Sequence, residues 1–219
     1  MQITKVEKQE KRDRYNVYAD GKFLTALDAG VLAESNIREG EIVTKSELAR
    51  LLERDRFAKA LAKAYSLLAR RPHASAELGR KLRERKYPPE LIEGVIEHLQ
   101  RLGYLDDASF AREWIRQRGG TRGPRLLRAE LRQRGVGTEA VEAALNEQRD
   151  SADPDDQADA IRTLAAKRLE RLRNEPPEKA REKTIAFLQR RGYAFGEIRN
   201  ALDALTSDRN SDRDPTART

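Results

Sequence analysis

The chain contains no cysteine, so disulfides and thiolate metal sites are excluded, and a reducing compartment is expected. Aromatic residues are only 5% of the composition, with a single tryptophan, Trp114, while charged residues make up 37%. That is a thin supply for a thick globular core. It suits helices with narrow apolar stripes, along which Arg and Lys stems cover apolar surface while their charges stay in water. There is neither an apolar run near the ~20 residues of a membrane span nor a signal peptide, so a cytoplasmic location is expected. Histidine is almost missing: His73 reads as a turn residue and His98 as a helix-surface residue, and neither falls in a nucleophile or metal motif. With no P-loop or dinucleotide glycine pattern either, no enzyme, cofactor or metal site is expected.

Excess charge is also missing from both ends. Residues 1–57 carry 11 basic and 11 acidic side chains, 150–219 carry 14 of each, and 58–149 carry 19 basic against 12 acidic. The net charge of +7 therefore sits in the middle, which points to an acidic or polyanionic partner.

At the N-terminus, "RYNVYADGKFLTAL" places two β-prone runs around Asp20-Gly21, a hairpin turn signal, and "MQITKVEKQ" adds a third strand. Helical spacing follows. From about residue 58 the chain repeats. "LRERKYPPELIEGVIEHL" (82–99), "LRQRGVGTEAVEAALNEQ" (131–148) and "LQRRGYAFGEIRNALDAL" (188–205) align without gaps, bringing Leu82, Leu131 and Leu188 into register, then Arg85, Arg134 and Arg191. Each copy reads as a helix-turn-helix behind a longer helix, these leading helices lying at about 55–70, 107–118 and 155–173. Gly135 and Gly192 are placed as left-handed helix ends. The fold expected is mostly α: tandem three-helix, helix-turn-helix-like repeats in an elongated row, with a small N-terminal β-hairpin or antiparallel sheet module. The expected divisions are 1–54 for the N-terminal extension, 55–103, 104–150 and 151–206 for the three repeats, and 207–219 for a disordered polar tail.

Two stretches carry candidate function. In "GYLDDASFAREWIRQR", Gly103 ends a helix, Tyr104 and Leu105 are expected to pack on the join between repeats, and Asp106 and Asp107 to cap the next helix. A metal would need more ligands than these two carboxylates. Phe110, Ala111, Trp114 and Ile115 follow at helical spacing as core, with Trp114 the one residue that could instead anchor a partner. Overlapping this motif, Arg112, Arg116, Arg118, Arg122, Arg125, Arg128, Arg132 and Arg134 lie within 23 residues that hold only two acids, Glu113 and Glu130. Arg125, Arg128 and Arg132 share a helix face, and with so few acids to pair them the eight are expected to contact a partner. "TRGPR" (121–125) precedes a helix start that also suits an anion.

The repeats and the string Gly103-Tyr104-Leu105-Asp106-Asp107-x-x-Phe110-Ala111 together resemble the RecX family of bacterial RecA regulators, over about residues 60–205. The strand-bearing extension looks like that of longer members. The serial repeats predict a monomer, and the resemblance implies a non-enzymatic protein that binds RecA and the groove of the RecA–DNA filament, restraining its ATPase, recombinase and co-protease activities in DNA repair, recombination and the SOS response; some members also touch DNA. A second reading is a helix-turn-helix protein acting directly on DNA. Against it, Glu90, Glu93, Glu139 and Glu142 stand early in the third helices, where they would face phosphate. A purely structural helical scaffold is a third, which the uneven charge disfavours.

Overall fold

A computed structural model describes residues 1–11, 13–151 and 153–211. Three strands open it: β1 (Ile3–Lys8), β2 (Arg14–Ala19) and β3 (Lys22–Asp28), antiparallel in the order β1-β2-β3. Asp20 and Gly21 turn β2 into β3 with φ of 49° and 77°, the doubly left-handed turn that matches strand twist. Ten helices follow among the described residues: α1 (Ala29–Ala33), α2 (Lys45–Leu68), α3 (Ser75–Glu84), α4 (Pro89–Arg101), α5 (Asp107–Arg118), α6 (Pro124–Arg134), α7 (Thr138–Ser151), α8 (Pro154–Arg171), α9 (Pro177–Arg190) and α10 (Phe195–Ser211). Grouped as α2–α4, α5–α7 and α8–α10, the last nine form the three repeats.

One leading helix departs from expectation. α2 starts at Lys45 rather than near 55, because Thr44 and Glu47 form a reciprocal capping box that satisfies the first amides. The division expected at 54/55 therefore falls inside a helix. Residues 207–211, assigned to the tail, continue α10, and 212–219 lie outside the described residues.

Contacts divide the chain into two compact units. The first comprises Met1–His73 and Leu78–Leu105. Its sheet buries Ile3, Val17 and Leu27 against Val31 and Leu51, while the first repeat has its own core of Ala60, Ala64, Leu78, Leu82, Ile92, Val95 and Leu99. Asp55 ties α2 to the sheet. It is 2% exposed, receives the Asp28 amide at 2.8 Å and pairs with Arg14 at 3.1 Å and Lys59 at 2.6 Å. Burial alone would push its carboxyl up, but the hydrogen bonds from Arg14, Lys59 and the Asp28 amide outweigh that and hold it below the ordinary carboxylate value.

The second unit comprises Ala74–Glu77 and Asp106 onward. Ala111, Ile115, Leu127, Leu131, Val141 and Ala144 fill the second repeat, and Ile161, Ala165, Leu188, Ile198 and Leu202 fill the third. Each fully buried leucine of this kind contributes about 1.5–3 kcal/mol.

The aligned sequence positions perform the same task in each repeat. The Leu82, Leu131 and Leu188 carbonyls accept from the amides of Tyr87, Val136 and Tyr193, across a left-handed residue that reverses the chain. That residue is Gly135 in the second repeat and Gly192 in the third, with φ of 84° and 89°; in the first it is Lys86, at 64°.

Candidate functional site

Helix α5 begins as the motif requires, with one exchange of roles. Asp106 is the N-cap and accepts from the Ser109 amide and hydroxyl at 3.0 and 2.7 Å, which hold its carboxyl below the usual range. Asp107 turns away and accepts the Ser75 amide at 2.8 Å, so it caps α3 instead of α5. Just before them, Gly103 takes φ 75° and closes α4, its amide bonding to Gln100 and that of Tyr104 to Leu99. Leu105 is buried at 3% exposure. Tyr104 is not: its ring is exposed and meets the half-buried Tyr65 edge to face at 5.1 Å. Of the two residues expected to pack on the join between repeats, Leu105 is buried in the core of the first repeat and Tyr104 faces solvent. Beyond the cap, Ala111 and Ile115 are fully buried, and Phe110 and Trp114 lie half-buried against the same core with their rings stacked at 5.8 Å.

Most of the eight arginines are held by their own molecule. Trp114 has the guanidinium carbons of Arg118 and Arg134 at 3.4 and 3.7 Å from its ring centroid. Two planar groups so close to one ring fit only on opposite faces, where ring quadrupole and cation attract. The Trp114 indole N–H donates to Glu130 at 2.9 Å, and Glu130 takes Arg122 through both oxygens at 2.5 and 2.6 Å. On the next face, Arg128 forms a two-pronged pair with Glu142 of α7, Nε to Oε1 at 2.6 Å and Nη2 to Oε2 at 2.8 Å. That pair raises the Arg128 value and lowers that of Glu142. Arg132 reaches the same carboxylate at 3.8 Å. Arg116 pairs with Glu113 along α5, and Arg112 donates to Ser109 at 2.7 Å. Of the eight, Arg125 has no side-chain partner among the described residues, and it is exposed, as are Arg112, Arg116 and Arg132.

The expectation that too few acids are present to pair the arginines is therefore corrected. Glu142 lies outside the basic stretch, one helix further on, and folding brings it to Arg128 and Arg132. The anion site expected at the start of α6 is also corrected. The Gly123 amide donates to the Arg191 carbonyl at 2.7 Å and the Arg125 amide to the Gly192 carbonyl at 3.3 Å, while Arg191 donates to the Thr121 carbonyl at 2.8 Å. The third repeat thus covers the helix end that an anion would use. Arg191 and Gly192 went unrecognised as parts of this site, since only their repeat positions were visible in sequence. His73 is buried with Nδ1 2.9 Å from the Arg71 carbonyl, and His98 packs edge-on to Phe57. Among the described residues no group of three or more His, Asp and Glu side chains could hold a metal.

The arrangement is a row of guanidinium groups on α5 and α6, most of them held by Glu113, Glu130, Glu142 or the Trp114 ring. Comparison with known proteins places it in a family. Residues 1–44 match the regulatory protein RecX N-terminal domain, and 60–99, 106–145 and 155–202 match the first, second and third three-helix domains of RecX. The regulatory protein RecX of Thermobifida fusca is 39% identical over 144 residues, 65% of this chain and 76% of the relative. That of Levilactobacillus brevis is 30% identical over 193 residues, 87% of this chain and 71% of the relative. A crystal structure of regulatory protein RecX superposes with a TM-score of 0.74 at 27% identity, covering 92% of this chain and 98% of that one.

Proposed function

The chain belongs to the RecX family, and from that premise we propose that it binds RecA and the RecA–DNA filament and restrains the ATPase, recombinase and co-protease activities of RecA in DNA repair and recombination. It acts as a cytoplasmic monomer by occupancy, with no catalytic step of its own. The observation behind the choice of surface is Arg125, exposed on α6 and without a side-chain partner among the described residues, near in sequence to the locally held Arg112, Arg116 and Arg132. An unpaired guanidinium is the one that gains most from a partner's carboxylate or phosphate.

The test is the DNA-dependent ATPase of RecA, measured with the wild type and with Arg112→Glu/Arg125→Glu, at several salt concentrations. Both positions are exposed, so each substitution should move stability by no more than about 0.5 kcal/mol. Arg128 is avoided, because a glutamate there would meet Glu142. Like-charge contacts cost several kcal/mol in an interface, so the double variant should need at least about tenfold more protein to restrain RecA. A folded variant that acts at the wild-type concentration rejects this surface. A wild type that leaves the ATPase unchanged at every concentration rejects the function. If phosphate alone were the target, affinity for bare DNA would match that for the filament and fall with salt at a slope near −0.9 per contact.

A further inference from the structure

In the first unit, two large apolar side chains flank Gly103 and face solvent: Leu102 at 53% exposure and Tyr104 at 58%. With Gly103 at φ 75°, the amides of residues 103 and 104 close the end of α4, and Leu105 rather than Tyr104 enters the core. A Cβ at Gly103 would meet nothing within 4 Å, so the glycine serves the backbone angle alone. The Tyr104 ring is held at 5.1 Å and 77° by Tyr65, near the end of α2. Tyr104 is therefore ordered before any partner arrives, which lowers the entropic cost of using it.

We infer that Leu102 and Tyr104 form an anchor for an acidic protein segment that presents an apolar side chain. The rim is basic. Arg101 adjoins Leu102, Arg70 follows Tyr65 by five residues, and both are exposed. Of the acids close in sequence, Asp106 has its carboxylate engaged by Ser109, and Glu97 lies a turn back along α4. Tyrosine and arginine are the residue types enriched in protein-binding hot spots, and Leu102 adds apolar area beside them. A nucleobase would stack on tyrosine but gain little from Leu102, which has no flat face to offer. The inference rests on the proposed function in one respect: the acidic segment is placed on the RecA protein of the filament, not on its DNA.

The experiment measures equilibrium binding of the full chain to RecA–single-stranded-DNA filaments and to the same DNA without RecA. Variants are Leu102→Lys, Leu102→Glu, Tyr104→Ala and Tyr104→Phe, each checked by thermal melting, which exposed positions should leave unmoved. Tyr104→Ala should weaken filament binding about tenfold or more and leave bare-DNA binding unchanged, as expected of a hot-spot truncation. Tyr104→Phe should stay within about twofold, and Leu102→Glu should bind more weakly than Leu102→Lys because the partner is acidic. Wild-type binding to the filament by Tyr104→Ala and both Leu102 variants overturns the anchor while leaving the proposed function standing. Equal losses on bare DNA overturn it too, since the patch would then serve nucleic acid. A wild type that fails to bind the filament removes the proposed function, and the anchor with it.

Discussion

Glu130 is the point where stability and binding should respond with opposite signs. Its carboxylate, with the side chain only 18% exposed, receives the Trp114 indole N–H at 2.9 Å and Arg122 at 2.5 and 2.6 Å. Glu130→Gln keeps one carbonyl oxygen, which can still accept from both Trp114 and Arg122, but it removes the charge and puts an amide NH₂ where Arg122 met the second oxygen. A charge-assisted hydrogen bond contributes about 1.5–3 kcal/mol, and since Arg122 is 35% exposed, water screens part of it. The expected loss is about 1–2 kcal/mol, or about 0.5–1 M in the urea midpoint for a slope near 2 kcal/mol/M. Trp114 is the only tryptophan and a member of the network, so its fluorescence reports the transition directly. Binding should move the other way. Removing one negative charge about 10 Å from an anionic partner is worth about 0.4 kcal/mol in water, roughly a twofold gain in affinity, and the released Arg122 adds to it. Glu113→Gln makes the same charge change on the exposed pair with Arg116, and should raise affinity without moving the urea midpoint. An unmoved tryptophan transition in Glu130→Gln would refute the network. Weaker filament binding would refute the anionic character of the partner surface.

Local rules carried the reading of the sequence far along the chain. The Asp20-Gly21 turn, the left-handed glycines 103, 135 and 192, the limits of α5 and the register of the three repeats all depend on residues within a few positions of one another. The Thr44–Glu47 capping box was equally local, and helical spacing was legible from there onward, but the division near 54/55 cut one continuous helix in two. What escaped was pairing at a distance. Asp106 and Asp107 are adjacent and chemically identical, but one caps its own helix and the other caps Ser75, 32 residues back. Arg125 and Arg128 share a face, yet only Arg128 finds Glu142, 14 residues on. Charge counts over a contiguous stretch cannot see such partners. They overstate the free charge of a surface wherever a neighbouring helix supplies the acids.

Two further predictions concern how the units are held. Asp55→Ala should destabilise the first unit by about 3–5 kcal/mol, because it leaves the half-sequestered Arg14 guanidinium and the Asp28 amide without their acceptor. Since folding lowers the Asp55 value, its contribution is present above the unfolded value of about 3.9 and is lost as pH falls through the folded one. Melting curves below pH 4 should show that loss in the wild type, while Asp55→Asn should lack this increment. The last prediction tests the join between the second and third repeats. A Cβ on Gly192 would lie 2.3 Å from the Leu126 amide nitrogen and 2.7 Å from the Leu126 Cβ, and one on Gly123 would lie 2.5 Å from the Gly192 carbonyl. These are backbone atoms or the first side-chain carbon, so no rotamer change relieves the overlap. Gly192→Ala adds the strain of a left-handed alanine, about 1–2 kcal/mol, to an overpacking cost of about 1–3 kcal/mol. Gly196→Ala meets nothing within 4 Å and should be neutral or slightly stabilising. If close approach is what lets the Arg191 and Gly192 carbonyls cover the start of α6, Gly192→Ala should also speed hydrogen exchange at the Gly123 and Arg125 amides. Wild-type exchange at those two amides in a folded Gly192→Ala chain would show that the join does not depend on the glycines.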